Sequence, residues 1–368
     1  MNNEEKFQLI TENLQEVIRP QIIHDVLAEG RPLKIYWGTA TTGAPHCGYF
    51  IPAVKIAQFL AAGCEVTILI ADIHGFLDSG KAPLDLVEDR AAYYEYIIPA
   101  IFEAIGIDTT RLRTVRGSSY QNKGDFFLDV LRMSSLVTAK KAKKAGAEVV
   151  KQDEDSLVSA SLYPLMQALD EEYLGVDAQF GGMDQRKLFM AAAEWLPKLG
   201  YKKRAHLMNP ILPGLRGKKM SSSDPDGKID MLDSPDELRR KIRKAVVAPR
   251  VTEDNGLLAL VQHILLPAAG LKGKREFGIC QNGSTEPTMY DSIEKINEDY
   301  ANDIIGPQGL KAAVADALVE LTSTIRAKFD ASPEWQEIRK KAYPTTSSDV
   351  DKLTKKVKNV KVAKGEID

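Results

Sequence analysis

The chain has little that could tie it together covalently and no strong charge of either sign. Its three cysteines, Cys47, Cys64 and Cys280, are odd in number, lie far apart and form no CxxC pair. That excludes a disulfide framework and a zinc knuckle, and it fits a reducing compartment. The 49 Lys and Arg residues against 51 Asp and Glu leave a net charge of −2. No global field recruits nucleic acid or membrane, so RNA binding must rest on local basic patches. No apolar run reaches transmembrane length, the N-terminus has neither an apolar h-region nor the Arg-rich character of a transit peptide, and no internal repeat is found. The expected address is cytoplasmic, with no membrane partner. What is present is 368 residues with 44% hydrophobic content, enough for a large core and a length better suited to two domains than one.

Residues 1–30 read as a helical lead-in, with Phe7, Leu9, Ile10, Leu14, Val17 and Ile18 at roughly helical spacing until Pro20 interrupts. Residues 31–227 read as an α/β catalytic unit. The β-prone run Leu33 to Gly38 leads into a small-residue loop, a helix from about Pro45 to Ala62, and a second strand from Val66 to Ala71. That order makes a βαβ unit, and the expected fold is a Rossmann-type doubly wound parallel sheet, with a helical insertion at about 83–151. Residues 228–344 read as an all-α C-terminal domain, opened by Ser234-Pro235 as N-cap and first turn. Residues 345–368 read as a Lys-rich flexible tail.

The segment Tyr36 to Tyr49 (YWGTATTGAPHCGY) occupies the carboxyl end of the first strand, where open parallel sheets bind ligands. Its small residues let backbone approach a ligand. If Pro45 opens the helix, the unpaired N–H groups of its first turn form a phosphate site, with His46 and Gly48 one and three residues in. Taken alone, Pro-His-x-Gly is more often a strand-to-helix turn with a partly buried histidine. Far downstream, Gly214 to Ser223 (GLRGKKMSSS) sets two ammonium groups and three hydroxyls on one loop. It could close over a polyphosphate, or it could be an ordinary solvated loop. On the helix opened by Tyr163-Pro164, residues Tyr163, Gln167 and Asp170 share one face, beside the apolar Leu162, Leu165, Met166, Leu169 and Tyr173. The alternative for Asp170-Glu171-Glu172 is a polar helix face in water.

Together these strings resemble the class I aminoacyl-tRNA synthetases. The first looks like their HIGH signature and the second like KMSKS, in the KMSSS form of the eukaryotic and archaeal tyrosyl branch. The strings from Tyr163 to Tyr173, Val176 to Lys187 and His206 to Pro210 resemble that branch specifically. The resemblance implies activation of tyrosine with ATP and its attachment to tRNA(Tyr). It places His46, Gly48, Lys219, Ser221, Ser222 and Ser223 in catalysis, and Gly38, Gly43 and Lys218 with them around ATP. Mg²⁺ would accompany ATP as substrate, with no tightly bound cofactor and no protein metal site. Tyr36 and Asp170 would bind the substrate phenol, Tyr163, Gln167 and Gln185 its α-amino group, and Leu69 and His74 would line the pocket. Tyr49 stands where many members of the class carry a second histidine, and Ser222 where many carry a second lysine; both look like branch character.

On the RNA side, Lys140, Lys141, Lys143 and Lys144 of the insertion, and Arg239 and Arg240 of the second domain, are candidate phosphate contacts, with a solvated basic face as the alternative for each. The resemblance implies that the insertion meets the acceptor end and a homodimer partner, and that the helical domain meets the anticodon. Phe277 and Tyr290 are candidate stacking residues there. Where the family carries an acidic residue in a His-Pro-x-Asp turn, this chain has Gly306-Pro307-Gln308-Gly309. The rival readings are tryptophanyl-tRNA synthetase, a small-molecule nucleotidyltransferase, and a catalytically silent RNA-binding descendant of a synthetase.

Overall fold

The structure is a computed structural model that describes residues 1–78, 83–150, 157–211, 214–215 and 228–344. Its main sheet contains β1 (Glu16–Ile18), β2 (Lys34–Ala40), β3 (Glu65–Ala71), β4 (Leu112–Arg116), β5 (Ala178–Gly182) and β6 (Ala205–Asn209). Their spatial order is β1-β6-β5-β2-β3-β4, parallel throughout except where β1 runs against β6. The chain winds outward from β2 to β4, then returns to lay β5 on the other side of β2. The winding therefore reverses between β2 and β5, and the crevice beyond their carboxyl ends is the ligand position of such a sheet. All residues of β3 after Glu65 are buried, as expected of a parallel strand covered on both faces. The expected α/β class with a helical C-terminal region is observed.

Several local expectations need correction. The lead-in is not one helix: helices Asn3–Thr11 and Pro20–Ala28 flank β1. Asn13 and Arg19 adopt φ of +59° and +56°, which no right-handed helix accommodates, and Val17 and Ile18 join the sheet edge opposite Leu207 and His206. The helix expected from Pro45 begins as a tight turn, Cys47–Tyr49, and becomes regular only over Phe50–Ala61. Pro52 explains the delay. It has no N–H to give and is best accommodated in a helix's first turn, which favours a start at Phe50. Pro99 and Pro164 do lie inside helices Leu84–Ala104 and Ser159–Tyr173, so the latter helix does not open at Tyr163-Pro164 as expected. The stretch 83–151 contains β4, whose Leu-Arg-Thr-Val-Arg pattern is too polar to stand out because it forms a half-exposed edge.

The C-terminal region opens as expected, with Ser234 accepting from the Glu237 N–H at 3.2 Å and Pro235 in the first helical turn. It also holds a hairpin, β7 (Phe277–Cys280) with β8 (Pro287–Tyr290), around a turn in which Gly283 has φ +80°. Phe277 and Tyr290 face each other across that hairpin and are buried. The Tyr290 hydroxyl donates to Asp299 Oδ2 at 2.8 Å. Both are core residues and not the exposed stacking platform expected of them.

Candidate functional site

The reversal point between β2 and β5 opens into a cavity of about 330 Å³. Its wall brings together Tyr36, Gly38, His46, Gly48, Leu69, His74, Tyr163, Gln167, Asp170 and Gln185. These ten expected site residues come from two strands, two helices and the turns between them. Gly43 stands outside that wall, in the loop that precedes His46. Lys218, Lys219, Ser221, Ser222 and Ser223, like the tail, lie outside the described residues.

The inner end of the cavity is built around one carboxylate. Asp170 is 1% exposed, and its Oδ1 accepts hydrogen bonds from the Tyr120 hydroxyl at 2.6 Å and the Gln121 amide at 2.7 Å. Its Oδ2 has no hydrogen-bond partner among the described residues and stands 3.6 Å from His74 Nε2. Burial pushes the carboxyl up from 3.8 to about 7, against the two donors that favour the anion. Burial likewise lowers His74 to about 4, so this imidazole is neutral and forms no ion pair with Asp170. Tyr36, also buried, directs its hydroxyl toward the Gln167 carbonyl at 3.5 Å. A carboxylate held on one oxygen and open on the other, beside a buried phenol, is a receptor for one hydroxyl donor.

Further out, the Gln167 side-chain amide donates to Gln185 Oε1 at 3.0 Å, and the Tyr163 ring packs edge-on against His74 at 4.7 Å. Two glutamines, a phenol and the nearby carboxylate of Asp184, also in the wall, offer the acceptors that an ammonium group requires. Sequence reasoning missed the two residues that hold Asp170, Tyr120 and Gln121, and the lining residue Gln179. Tyr120 and Gln121 belong to the short helix Ser118–Gln121 just past the carboxyl end of β4; recognising β4 would have pointed to them. Gln179 sits opposite Tyr36 in the β5–β2 register, and its Oε1 is buried without a partner among the described residues.

The polar run Asp170-Glu171-Glu172 is not a face in water. Glu171 is fully buried and bonds His206 Nε2 at 2.7 Å, and that ring stacks on Phe189 at 4.8 Å. Glu171→Ala would strand a buried histidine, and urea unfolding is expected to register a loss of about 3 kcal/mol.

At the mouth, His46 Nδ1 accepts from the Gly48 N–H at 3.2 Å. The proton of the neutral ring therefore rests on Nε2, a donor suited to a phosphate oxygen. The phosphate site expected of free helix N–H groups is not built that way. Besides Gly48, the Cys47 N–H is taken by the Ile229 carbonyl at 2.9 Å and the Tyr49 N–H by the His46 carbonyl at 2.9 Å. Because this stretch is a tight turn and not a helix start, its backbone donors are already engaged, one of them by the distant Ile229 carbonyl.

The basic residues divide. Lys141 and Lys144 face a cleft of about 590 Å³ shared with Arg19, Arg186 and Lys187. Lys141 is paired with Glu194, Arg186 with Glu16 and Lys187 with Glu148. Lys140 and Lys143 lie on the exposed side of the same helix, Ala139–Gly146. Arg239 is paired with Asp316 and Arg240 with Glu237, all at the surface. In the segment Gly306 to Gly309, a Cβ on Gly309 would sit 2.5 Å from the Cys280 carbonyl oxygen. The packing leaves no room there for the acidic residue of the family pattern.

The sequence matches the family described as tRNA synthetases class I (W and Y) over residues 28–323. It is 51% identical over 361 residues to the cytoplasmic tyrosine–tRNA ligase of Saccharomyces cerevisiae, covering 96% of this chain and 92% of that one. It is 52% identical over 348 residues to the cytoplasmic tyrosine–tRNA ligase of Xenopus laevis, covering 94% of this chain but only 64% of that longer protein. Among solved structures, the tyrosyl-tRNA synthetase from Archaeoglobus fulgidus, complexed with L-tyrosine, superposes with a TM-score of 0.81 at 36% identity, over 89% of this chain and 99% of that one. The tryptophanyl-tRNA synthetase from Aeropyrum pernix K1 shares the fold, with a TM-score of 0.65 at 20% identity over 88% and 83% of the two chains. A family match over residues 28–323 and 51% identity to a relative covered over 92% of its length leave one placement: the chain belongs to the class I tRNA synthetase family of the tryptophan and tyrosine enzymes.

Proposed function

We infer that the chain activates L-tyrosine with ATP to tyrosyl-adenylate and transfers the tyrosyl group to tRNA(Tyr), in the cytoplasm as in the names of its relatives. The observation that carries the reading is Asp170, gripped on Oδ1 by Tyr120 and Gln121, with Oδ2 buried and without a hydrogen-bond partner among the described residues at the end of the cavity. A substrate phenol donates there, with Tyr36 as its second partner. The α-amino group rests among Tyr163, Gln167 and Gln185, which leaves the substrate carboxylate toward His46.

Adenylation needs no protein nucleophile. A carboxylate oxygen of tyrosine attacks the α-phosphorus, the bond to the bridging oxygen of pyrophosphate breaks, and the electron pair leaves with pyrophosphate. In the second half, a ribose hydroxyl at the end of the tRNA attacks the acyl carbon, and AMP departs. The protein contributes alignment and charge stabilisation. Nε2 of His46 donates to a phosphate oxygen, the glycines at 38, 43 and 48 admit the nucleotide, and the ammonium groups of Lys218 and Lys219 with the hydroxyls of Ser221, Ser222 and Ser223 meet the pyrophosphate. Among the described residues no group of three or more His, Cys, Asp or Glu could hold a metal. Mg²⁺ is assigned to the phosphates of ATP because it dehydrates reluctantly and is commonly held by substrate phosphates.

For tRNA, the cleft of Arg19, Lys141, Lys144, Arg186 and Lys187 is our candidate for the acceptor end, with Lys140 and Lys143 beside it. The pairing of Arg239 and Arg240 makes them weaker candidates. Homodimerisation through the insertion is supported by Phe127, Leu128, Leu131 and Leu136, all exposed on or just after helix Gly124–Ser134. Such a contiguous apolar patch marks an interface. Leu131→Glu is expected to convert the dimer to monomer in sedimentation, and an unchanged mass would refute this interface. The activity is tested by charging: the chain with ATP, Mg²⁺, tyrosine and total tRNA should yield tyrosyl-tRNA, and charging with tryptophan instead would overturn the reading.

A further inference from the structure

The loop between β2 and His46 carries the nucleotide chemistry, yet residues 41–45 belong to no helix or strand. A buried chain of hydroxyls holds it. The Tyr94 hydroxyl, on helix Leu84–Ala104, donates to the Gly43 carbonyl at 2.7 Å. Tyr94 oxygen lies 3.2 Å from the Tyr49 oxygen, which in turn lies 3.0 Å from Thr39 Oγ1. One consistent set of protons satisfies all three: Thr39 donates to Tyr49, Tyr49 to Tyr94, and Tyr94 to Gly43. The chain closes a circuit from the end of β2, through the turn after His46, and back to the peptide three residues before His46. Burial raises both phenols above their usual range, Tyr94 far above it, so each remains a protonated donor. The same helix continues to the C-terminal region, where the Arg90 guanidinium lies 5.2 Å over the Tyr343 ring and its Nε donates to the Ala342 carbonyl at 3.2 Å.

We propose that Tyr94 is a positioning residue for ATP: through Gly43 and Tyr49 it fixes the loop that presents His46, while taking no part in tyrosine recognition. This rests on the activity inferred above. Tyr49, which departs from the histidine common in the class, thereby acquires a structural partner in Tyr94. The neighbouring Tyr93 supplies the control, because its hydroxyl is buried with no hydrogen-bond partner among the described residues.

The test is tyrosine-dependent exchange of pyrophosphate into ATP by the full chain. Tyr94→Phe, which deletes one oxygen, is expected to raise KM for ATP roughly tenfold, the scale of one buried hydrogen bond. KM for tyrosine should stay within about twofold, and Tyr93→Phe should leave both unchanged. An unmoved KM for ATP, an equal rise in KM for tyrosine, or the same rise in Tyr93→Phe would overturn the proposal. If Tyr94→Phe melts, Tyr49→Phe decides: it breaks the circuit while sparing the bond to Gly43, so KM for ATP should rise by about threefold, and no change refutes the circuit. Absence of exchange in the unaltered chain would refute the activity itself, whereas normal exchange with an unmoved Tyr94→Phe refutes only the positioning role.

Discussion

Asp170→Ala is expected to lower kcat/KM for tyrosine by about 10²–10³ in the exchange reaction. The substitution removes the proposed acceptor for the substrate phenol and also leaves the Tyr120 hydroxyl and Gln121 amide stranded in a buried environment. Each unpaired buried donor costs about 1–3 kcal/mol, and every 1.4 kcal/mol is tenfold in rate. Discrimination against phenylalanine should fall with it. Asp170→Asn separates charge from shape. Because the carboxyl titrates at about 7 in the open pocket, kcat/KM for tyrosine should rise as pH increases through about 7, and the asparagine variant should lack that step.

Stability should move the other way. The folded pKa lies above the ordinary 3.8, so the folded chain holds this proton more tightly than the unfolded one. The cost of burying the charge is absent below 3.8, builds as pH rises toward about 7 and is complete above it. Asp170→Asn should therefore melt higher than the unaltered protein at pH 8, with the difference vanishing near pH 3. Melting curves at the two pH values check this. A binding carboxylate kept at the expense of stability is the mark of a site selected for chemistry.

The second large effect falls at the other end of the cavity. His46→Ala should reduce kcat for exchange by about 10²–10³, the range found when one preorganised donor to a developing charge is removed. KM for tyrosine should change little, because Tyr36 and Asp170 stand on separate elements. The Gly48 N–H that now donates to Nδ1 would also lose its acceptor and loosen the turn. Single-turnover measurement of adenylate formation distinguishes a slow chemical step from weakened ATP binding.

Much of this site was legible in the sequence, and the parts that were not share a cause. Tyr163, Gln167 and Asp170 could be placed on one face because helical periodicity is local. His46 and Tyr36 could be placed because a small-residue loop after an apolar run marks the ligand edge of a parallel sheet. Tyr120 and Gln121 were hidden because they follow β4, an edge strand whose polar residues Arg113, Thr114 and Arg116 read as solvated helix. Gln179 is decided by register: only its pairing with Tyr36 brings it to the pocket, and register is not a local property. The start of helix Phe50–Ala61 was readable from Pro52 but outweighed by Pro45. The crowding at Gly309 comes from the Cys280 carbonyl 29 positions away in sequence, which no motif contains.

The central claim is that the Asp170 and Tyr36 end of the cavity selects a phenol. Its most direct test is the ratio of kcat/KM for tyrosine to that for phenylalanine in pyrophosphate exchange by the unaltered chain. A site that leaves buried polar groups unpaired with the wrong substrate should favour tyrosine by about 10⁴–10⁵, the margin already known for tyrosyl enzymes. A ratio within tenfold of unity, or faster exchange with tryptophan, would contradict it.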